Sequence, residues 1–320
     1  MKIAILDDYA GVATSLADWS GLGEVTVFSK PIGGPEKVTE ALQPFDIVCV
    51  MRERTPLPAS VIEALPNLKL IVTTGPRNAS IDMAAARARG IPVCGTETRK
   101  TTTSELAMTL ILALNRQIVT EAQSLQDGNW QSGLGRDLNG LTLGLVGLGS
   151  IGAQMAGLGR AFGMNIAAWS QNLTEARCAE LDVKRCASLE DLMATSDVVS
   201  VHLILSERSR GLIGAQAFEA AKPGAVFVNT SRGPIVDSAA LLEGLRAGKP
   251  AKAGIDVFDR EPLAADDPMI DRALIDQGKL LLTPHLGYTT EATFRVFYGQ
   301  TAEAIKAWQA GEPVRVLSPA

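Results

Sequence analysis

One stretch constrains this chain more than any other. Leu141 to Gly152 reads LTLGLVGLGSIG. Leu141 to Val146 is an apolar run long enough for one buried strand. Gly147, Gly149 and Gly152 then give G-x-G-x-x-G, and AQMAGLGRAFG beyond them reads as a helix. Strand, glycine turn and helix together are the context in which this motif binds a dinucleotide. The first glycine permits the tight turn, the second lets a pyrophosphate approach backbone N–H groups, and the third lets helix and strand pack closely. The helix N-terminus adds partial positive charge facing the phosphates. A tight βα turn with no ligand is the alternative, and the motif alone leaves it open.

The rest of the chain repeats this grammar. KIAIL, EVTVF, DIVCV, LKLIV and IPVCG read as strands, with PEKVTEAL, ASVIEAL and SIDMAAARARG as helices between them and Gly90 as a C-cap. TETRKTTTSELAMTLILALNRQ reads as a longer, more apolar crossover helix with capping residues near its start, packed between domains or subunits. QDGNWQSGLGRDLNG then reads as a polar arm or loop. A second βα series starts at Leu141, with strands LTLGLVG, NIAAWS, VVSVHL, AVFVNTS, AKAGIDV and KLLLTPH. From Thr289 the tail reads as one amphipathic helix, with no strand of its own, packing back on the first domain.

The fold expected is α/β, with two doubly wound parallel-sheet domains. Residues 1–97 and 287–320 form a discontinuous, flavodoxin-like substrate domain, and residues 98–286 a Rossmann nucleotide-binding domain. Ligands in such sheets lie beyond the carboxyl ends of the strands, so the chemistry is sought there and in the cleft between the two domains.

Composition narrows the partners. A net charge of -5 over 320 residues argues against nucleic acid or an anionic membrane surface. MKIAILDD meets acid after one short apolar run, as a strand does and a signal peptide does not. Four cysteines without a C-x-x-C, three of them in or beside apolar runs, suggest reduced thiols and a cytoplasmic protein. No zinc-ligand spacing, G-x-S-x-G elbow or P-loop lysine occurs, and no metal is expected.

Three strand ends carry chemistry. AVFVNTS runs into Thr230-Ser231-Arg232-Gly233, where an arginine can bind a carboxylate bidentately. AKAGIDV ends in Asp256, with Asp259 and Glu261 following. KLLLTPH ends in Pro284-His285-Leu286-Gly287. The chain has two histidines. His202, inside VVSVHL, reads as a satisfied structural residue; His285, held between proline and glycine, reads as the general acid/base. Glu261 is the expected partner that keeps His285 protonated. A dinucleotide site with one histidine, one arginine and one carboxylate makes hydride transfer the simplest chemistry.

Together, GLGSIG, SDVVSVHL, VNTSRGPIVD, AGIDVFDREPL and TPHLGY resemble the motifs of the D-isomer-specific 2-hydroxyacid dehydrogenase family, in the family's order. The resemblance implies a catalytic set of Arg232, Glu261 and His285. Arg232 would hold the substrate carboxylate and polarise the carbonyl, His285 would give its proton to the carbonyl oxygen, and Glu261 would tune it. It also implies that Ser150 and Ile151 meet the pyrophosphate, that Thr230 and Ser231 line the nicotinamide pocket, and that Asp256 contacts the nicotinamide amide. Ser170, Gln171, His202 and Gly287 are counted with the cofactor positions. The implied substrate is a small 2-oxo or 2-hydroxy acid. The implied assembly is a homodimer through the nucleotide domain, served by the helix at Ser104 to Arg116 and the arm around Trp130.

Two departures stand out. The acid that usually ends the second strand and bonds the ribose hydroxyls is replaced by Ser170, Gln171 and Asn172. That removes a repulsion against NADP, although no arginine stands in the immediate turn, so NAD(H) or NADP(H) is expected. The substrate loop is TTGPRNASID, with Thr74, Gly75, Pro76 and Arg77 as substrate residues; Arg77 stands where a glycine is usual. Arg52 is placed with them, and Arg54 is similarly positioned with its role open. The function expected is reduction of a small 2-oxo acid, such as glyoxylate or hydroxypyruvate, to the D-2-hydroxy acid. The alternative is a nucleotide-sensing, corepressor-like binding protein on the same scaffold.

Overall fold

The computed structural model describes residues 1–318. It divides into two units, Met1–Arg99 with the chain from Thr289 onward, and Lys100–Tyr288.

In the first unit the strands are β1 (Lys2–Ile5), β2 (Glu24–Val27), β3 (Ile47–Val50), β4 (Leu70–Thr73) and β5 (Val93–Cys94). All pair in parallel, in the order β2-β1-β3-β4-β5. This is the flavodoxin-like doubly wound order. β3 and β4 are buried along their whole length, which is why their sequences are continuous apolar runs. β2, at the sheet edge, alternates exposed and half-buried residues. The helix Met83–Ala88 starts where Asp82 accepts the Ala85 N–H, and Gly90 follows it at φ +67°. The one-turn helix Ala13–Leu16 has no sequence signature; the buried Asp8 carboxylate builds it by accepting Val12 N–H and Ala13 N–H.

The tail helix Glu291–Gln309 is capped by Thr290 and buries Phe294, Phe297, Tyr298 and Ile305. It packs on β4 and on Ala13–Leu16, within the first unit. As expected, the tail forms no strand of its own among the described residues, but it makes one isolated bridge to the sheet. Val316 bridges Cys94 antiparallel, and Leu317 N–H donates to Val93 O at 2.8 Å, closing the exposed edge of β5.

The second unit has β6 (Thr142–Val146), β7 (Asn165–Trp169), β8 (Lys184–Arg185), β9 (Val198–Val201), β10 (Val226–Asn229), β11 (Lys252–Ile255) and β12 (Leu280–Leu282). The order is β12-β11-β10-β9-β6-β7-β8, all parallel. Counted from β6, this is the dinucleotide-binding order with one strand added beyond the sixth. Side chains alternate between two apolar layers. Phe227 joins Phe218, Leu241 and Leu245 on one face, with the Phe218 and Phe227 rings edge-to-face at 5.3 Å. Val226 and Val228 join Leu110, Ile111 and Met155 on the other.

The helix Thr102–Asn115 supplies much of that second layer and lies on β10, β11 and the helix Ser150–Ala161. Gly254 makes room for it: a Cβ there would stand 3.1 Å from Leu114 Cδ1. The helix is shorter than the sequence pattern suggests, and Thr101 at its N-cap makes no side-chain cap bond. A second helix, Ile118–Gln126, which the pattern did not reveal, precedes the arm. It buries no residue; Ile118, Val119 and Leu125 are exposed, as are Trp130 and Leu134 in the arm. Among the described residues no helix is long and apolar enough to cross a membrane.

Candidate active site

The glycine turn is shaped by close packing. Gly147 has φ +105°, and a Cβ on it would lie 2.7 Å from His202 O. A Cβ on Gly152 would lie 2.2 Å from Gly147 O, so only glycine lets the helix sit this close to β6. Gly149 differs from both. It is the N-cap of the helix Ser150–Ala161, makes no side-chain cap bond, and has no atom within 4 Å of where a Cβ would be. Gly149 and Ser150 are exposed and Ile151 is half-buried. Uncapped N–H groups facing open space at a helix N-terminus suit a pyrophosphate.

Next along the same sheet edge come the ends of β9, β10, β11 and β12. His202 follows β9. Its Nε2 is buried with no hydrogen-bond partner among the described residues, and burial pulls the imidazole down to about 3, so the ring is neutral. Thr230, beyond β10, is also buried, and its Oγ1 is likewise unpartnered. Buried polar atoms normally have partners. Two orphans at adjacent strand ends are consistent with a polar ligand that completes them.

The loop after β10 is held by Asn229, which is buried. Its Oδ1 accepts Ser231 N–H and its Nδ2 donates to Arg232 O, both at 3.0 Å. Ser231 Oγ donates to Leu203 O, tying this loop to the one after β9. Gly233 packs against Phe258 and Asp259, where a Cβ would come within 2.1 Å of Phe258 C. Arg232 is thus carried on a turn fixed at both ends, with Nη1 2.7 Å from Ser231 O and its side chain half-buried.

His285 and Glu261 meet. His285 Nδ1 lies 2.5 Å from Glu261 Oε2, and both side chains are about one-fifth exposed, at 20% and 19%. Glu261 Oε1 accepts Phe258 N–H at 3.0 Å, which orients the carboxylate. With Nδ1 bonded to Glu261, a proton exchanged between this ring and a substrate would pass through Nε2, the other ring nitrogen. The Tyr288 ring stands edge-to-face to His285 at 5.4 Å.

His285 has φ +54°, a conformation that few non-glycine residues adopt. Asp256 holds it there. This carboxylate is fully buried and accepts Leu286 N–H at 2.7 Å, Gly287 N–H at 3.0 Å and Thr283 Oγ–H at 2.7 Å. Burial raises its carboxyl above the usual range, opposed by these donors and by the His285 charge. Resemblance assigned Asp256 to the nicotinamide amide; in the structure its bonds go to the loop that carries His285. Gly287 is buried beside it and accepts from Thr103 Oγ1 at 3.2 Å.

Beyond β7, Ser170 is half-buried and Gln171 exposed. Gln171 Nε2 donates to Arg208 O at 3.2 Å. The turn itself holds no arginine, as expected; Arg177, on the helix Glu175–Glu180 that follows, places Nε 3.4 Å from Leu148 O in the glycine turn.

The substrate-loop residues lie at the carboxyl edge of the first unit's sheet. Gly75 has φ +87°, donates its N–H to Thr96 Oγ1 at 2.8 Å, and lies under Arg52, whose Nη1 would be 1.8 Å from a Cβ there. Thr74 Oγ1 accepts Arg52 N–H at 2.9 Å. Arg52, Thr74 and Gly75 are therefore together. Pro76 and Arg77, next in the chain, are exposed. Arg54 lies over the Tyr9 ring at 5.7 Å.

Residues 108–287 match the family model described as D-isomer specific 2-hydroxyacid dehydrogenase, NAD binding domain. The chain is similar to a D-3-phosphoglycerate dehydrogenase of Archaeoglobus fulgidus, 38% identical over 83% of this chain and 50% of that protein. It spans about half the length of the phosphoglycerate dehydrogenases it matches. It is also 38% identical to a hydroxypyruvate reductase of Thermotoga maritima, over 78% of this chain and 80% of the relative. Among solved structures, a putative D-3-phosphoglycerate dehydrogenase from Ralstonia solanacearum superposes with TM-score 0.90 at 32% identity, covering 100% of this chain and 98% of that one. The nucleotide-binding match, the relatives and the two parallel-sheet units agree: this chain belongs to the D-isomer specific 2-hydroxyacid dehydrogenase family.

Proposed function

We propose that the protein is an oxidoreductase that converts a small 2-oxo acid to the D-2-hydroxy acid with NADH or NADPH, and runs in reverse with the oxidised cofactor. The observation that carries this reading is the His285–Glu261 pair at 2.5 Å, at the end of β12, on the same sheet edge as the glycine turn. Gly149, Ser150 and Ile151 would hold the pyrophosphate, and Thr230, Ser231 and His202 would border the nicotinamide. A bound nicotinamide supplies the hydride chemistry. The protein's own residues do the rest. Arg232 binds the substrate carboxylate and draws charge from the reacting carbonyl. His285 Nε2 gives a proton to the carbonyl oxygen as it becomes an alcohol, and Glu261 stabilises and orients the imidazolium. Asp256 fixes the loop that positions His285.

Between neighbouring parallel strands the spacing is about 4.8 Å, so the ends of β10 and β12 stand roughly 10 Å apart. Arg232 and His285 are both long enough to reach one small acid between them.

The finer points of the reading follow from particular residues. Ser170 and Gln171 carry no charge that repels a 2′-phosphate, which supports tolerance of NADP(H). Ile118, Val119, Leu125, Trp130 and Leu134 are large apolar side chains left exposed on one short stretch of chain, which supports a homodimer in which a second copy would bury them. All four cysteines are buried and free, in keeping with a reducing, cytoplasmic setting. The test is a panel of 2-oxo acids, glyoxylate, hydroxypyruvate and pyruvate among them, assayed with NADH and NADPH in parallel. Turnover of at least one acid is expected; dinucleotide binding without turnover of any would overturn the reading.

A further inference from the structure

In an open α/β sheet of this order, the adenosine ribose lies between the glycine turn and the end of the neighbouring strand, here β7. An acid at that strand end selects NAD by bonding the ribose hydroxyls; an arginine nearby accommodates the 2′-phosphate of NADP. This chain has no acid there, and Ser170, Gln171 and Asn172 are all neutral. Arg177 fills the role from further along. Thr174 caps the short helix Glu175–Glu180 by accepting Arg177 N–H, and this sets the arginine facing back towards the turn. Its Nε reaches Leu148 O, the residue between the first two glycines of the motif.

The bland reading of Arg177 is a brace for the turn. The geometry argues against it. At 3.4 Å the bond to Leu148 O is long for N–H···O, which is normally about 2.9–3.0 Å, so it does little bracing. The other contact, Nη1 to Glu180 Oε2 at 2.8 Å, is to a carboxylate 63% exposed, a pair that an incoming phosphate displaces at little cost. Nη2 makes no hydrogen bond among the described residues. The guanidinium thus stands beside Leu148 in the glycine turn with donors to spare. On the other side of the same loop, Gln171 is drawn to Arg208 O, so a neutral amide walls the site where an acid would repel phosphate.

We propose that Arg177 reads the 2′-phosphate of NADP(H), with Ser170 and Gln171 as its neutral neighbours, and that this chain binds NADPH at least as well as NADH. The inference rests on the dinucleotide-site reading above and adds to it the residue and the phosphate that residue selects.

The test is direct binding, read by tryptophan fluorescence quenching and repeated with 2′,5′-ADP and 5′-ADP as probes without a nicotinamide. In wild type NADPH should bind at least as tightly as NADH. Arg177→Gln should weaken NADPH and 2′,5′-ADP by about 10- to 100-fold, the range for losing a charge-assisted hydrogen bond, and NADH and 5′-ADP by less than about threefold. Arg177→Lys, which keeps the charge without the fork, should fall between. If Arg177→Gln fails to fold, Gln171→Asp gives a second route, since an acid in the loop should cost NADPH affinity selectively. Equal loss for both dinucleotides, or for neither, would overturn the proposal and leave the dehydrogenase reading intact. Wild type that favours NADH by tenfold would do the same. Wild type that binds no dinucleotide at all would overturn both.

Discussion

Glu261 makes two bonds with its two oxygens: Oε2 to His285 Nδ1 at 2.5 Å and Oε1 to Phe258 N–H at 3.0 Å. The backbone bond sets the plane of the carboxylate, and the carboxylate sets the plane of the ring. Glu261→Gln keeps the shape and loses the charge that stabilises an imidazolium. Turnover is expected to fall by about 10- to 1,000-fold with dinucleotide affinity little changed. Steady-state kinetics beside fluorescence titration checks the separation; equal loss in both would mean that Glu261 supports the fold and not the reaction.

Asp256 works one step further back. Asparagine at this position has one acceptor oxygen where the carboxylate has two, so one of the Leu286 and Gly287 N–H groups faces an amide NH2. Leaving a buried donor unpaired costs about 1–3 kcal/mol. Asp256→Asn should lower the unfolding free energy read from a urea titration by that much and reduce kcat more than it raises KM, because His285 loses its support at φ +54°. Unchanged stability together with a changed nicotinamide affinity would instead favour the direct cofactor contact that resemblance suggested.

The glycine turn offers a paired test. Gly149→Ala meets no atom within 4 Å and φ there is -77°, so the protein should fold with stability within about 0.5 kcal/mol of wild type. Its methyl group projects where the pyrophosphate would approach, so dinucleotide affinity should drop about tenfold or more. Gly152→Ala places a Cβ 2.2 Å from Gly147 O and should cost roughly 1–3 kcal/mol of stability. Thermal melts and binding titrations on the two variants separate ligand space from packing space.

His202 should make the fold sensitive to acid. Its pKa, near 6.5 when unfolded, is pulled to about 3 by burial in the native state. Below pH 6.5 the unfolded chain takes up a proton that the native ring refuses, so stability falls as pH drops and stops falling near pH 3. Between pH 7 and pH 5 this one group should cost about 2 kcal/mol. His202→Gln removes that component. Urea unfolding at both pH values should show a smaller acid loss in the variant, and an identical loss would contradict the account.

Much of this was legible in the residues. Continuous apolar runs such as DIVCV and LKLIV announce buried parallel strands, and Gly147 and Gly152 of GLGSIG mark the turn because backbone packing leaves no room for a Cβ at either. Arg232, Glu261 and His285 stood at strand ends, and parallel pairing of β10, β11 and β12 brings such ends to one edge. What escaped has a common cause. The helix Ile118–Gln126 buries nothing and starts at Gln117 with φ +55°, so it has neither periodic core face nor cap signal. β8 is two exposed charged residues, defined only by its pairing with β7. Arg177, Asn229 and the loop-holding bonds of Asp256 act through partners that are remote in sequence or set by turn geometry, and no local pattern encodes them. Val316 joins β5 only because the tail helix delivers it there.

The central claim is that His285 donates the proton in a reaction at the carbonyl of a 2-oxo acid. The most direct measurement is single-turnover reduction of glyoxylate or hydroxypyruvate by His285→Ala, with dinucleotide Kd measured on the same preparation. The account predicts a rate lower by about 100- to 10,000-fold, with Kd within a few-fold of wild type. A His285→Ala protein that reduces the substrate at a near-normal rate would contradict it.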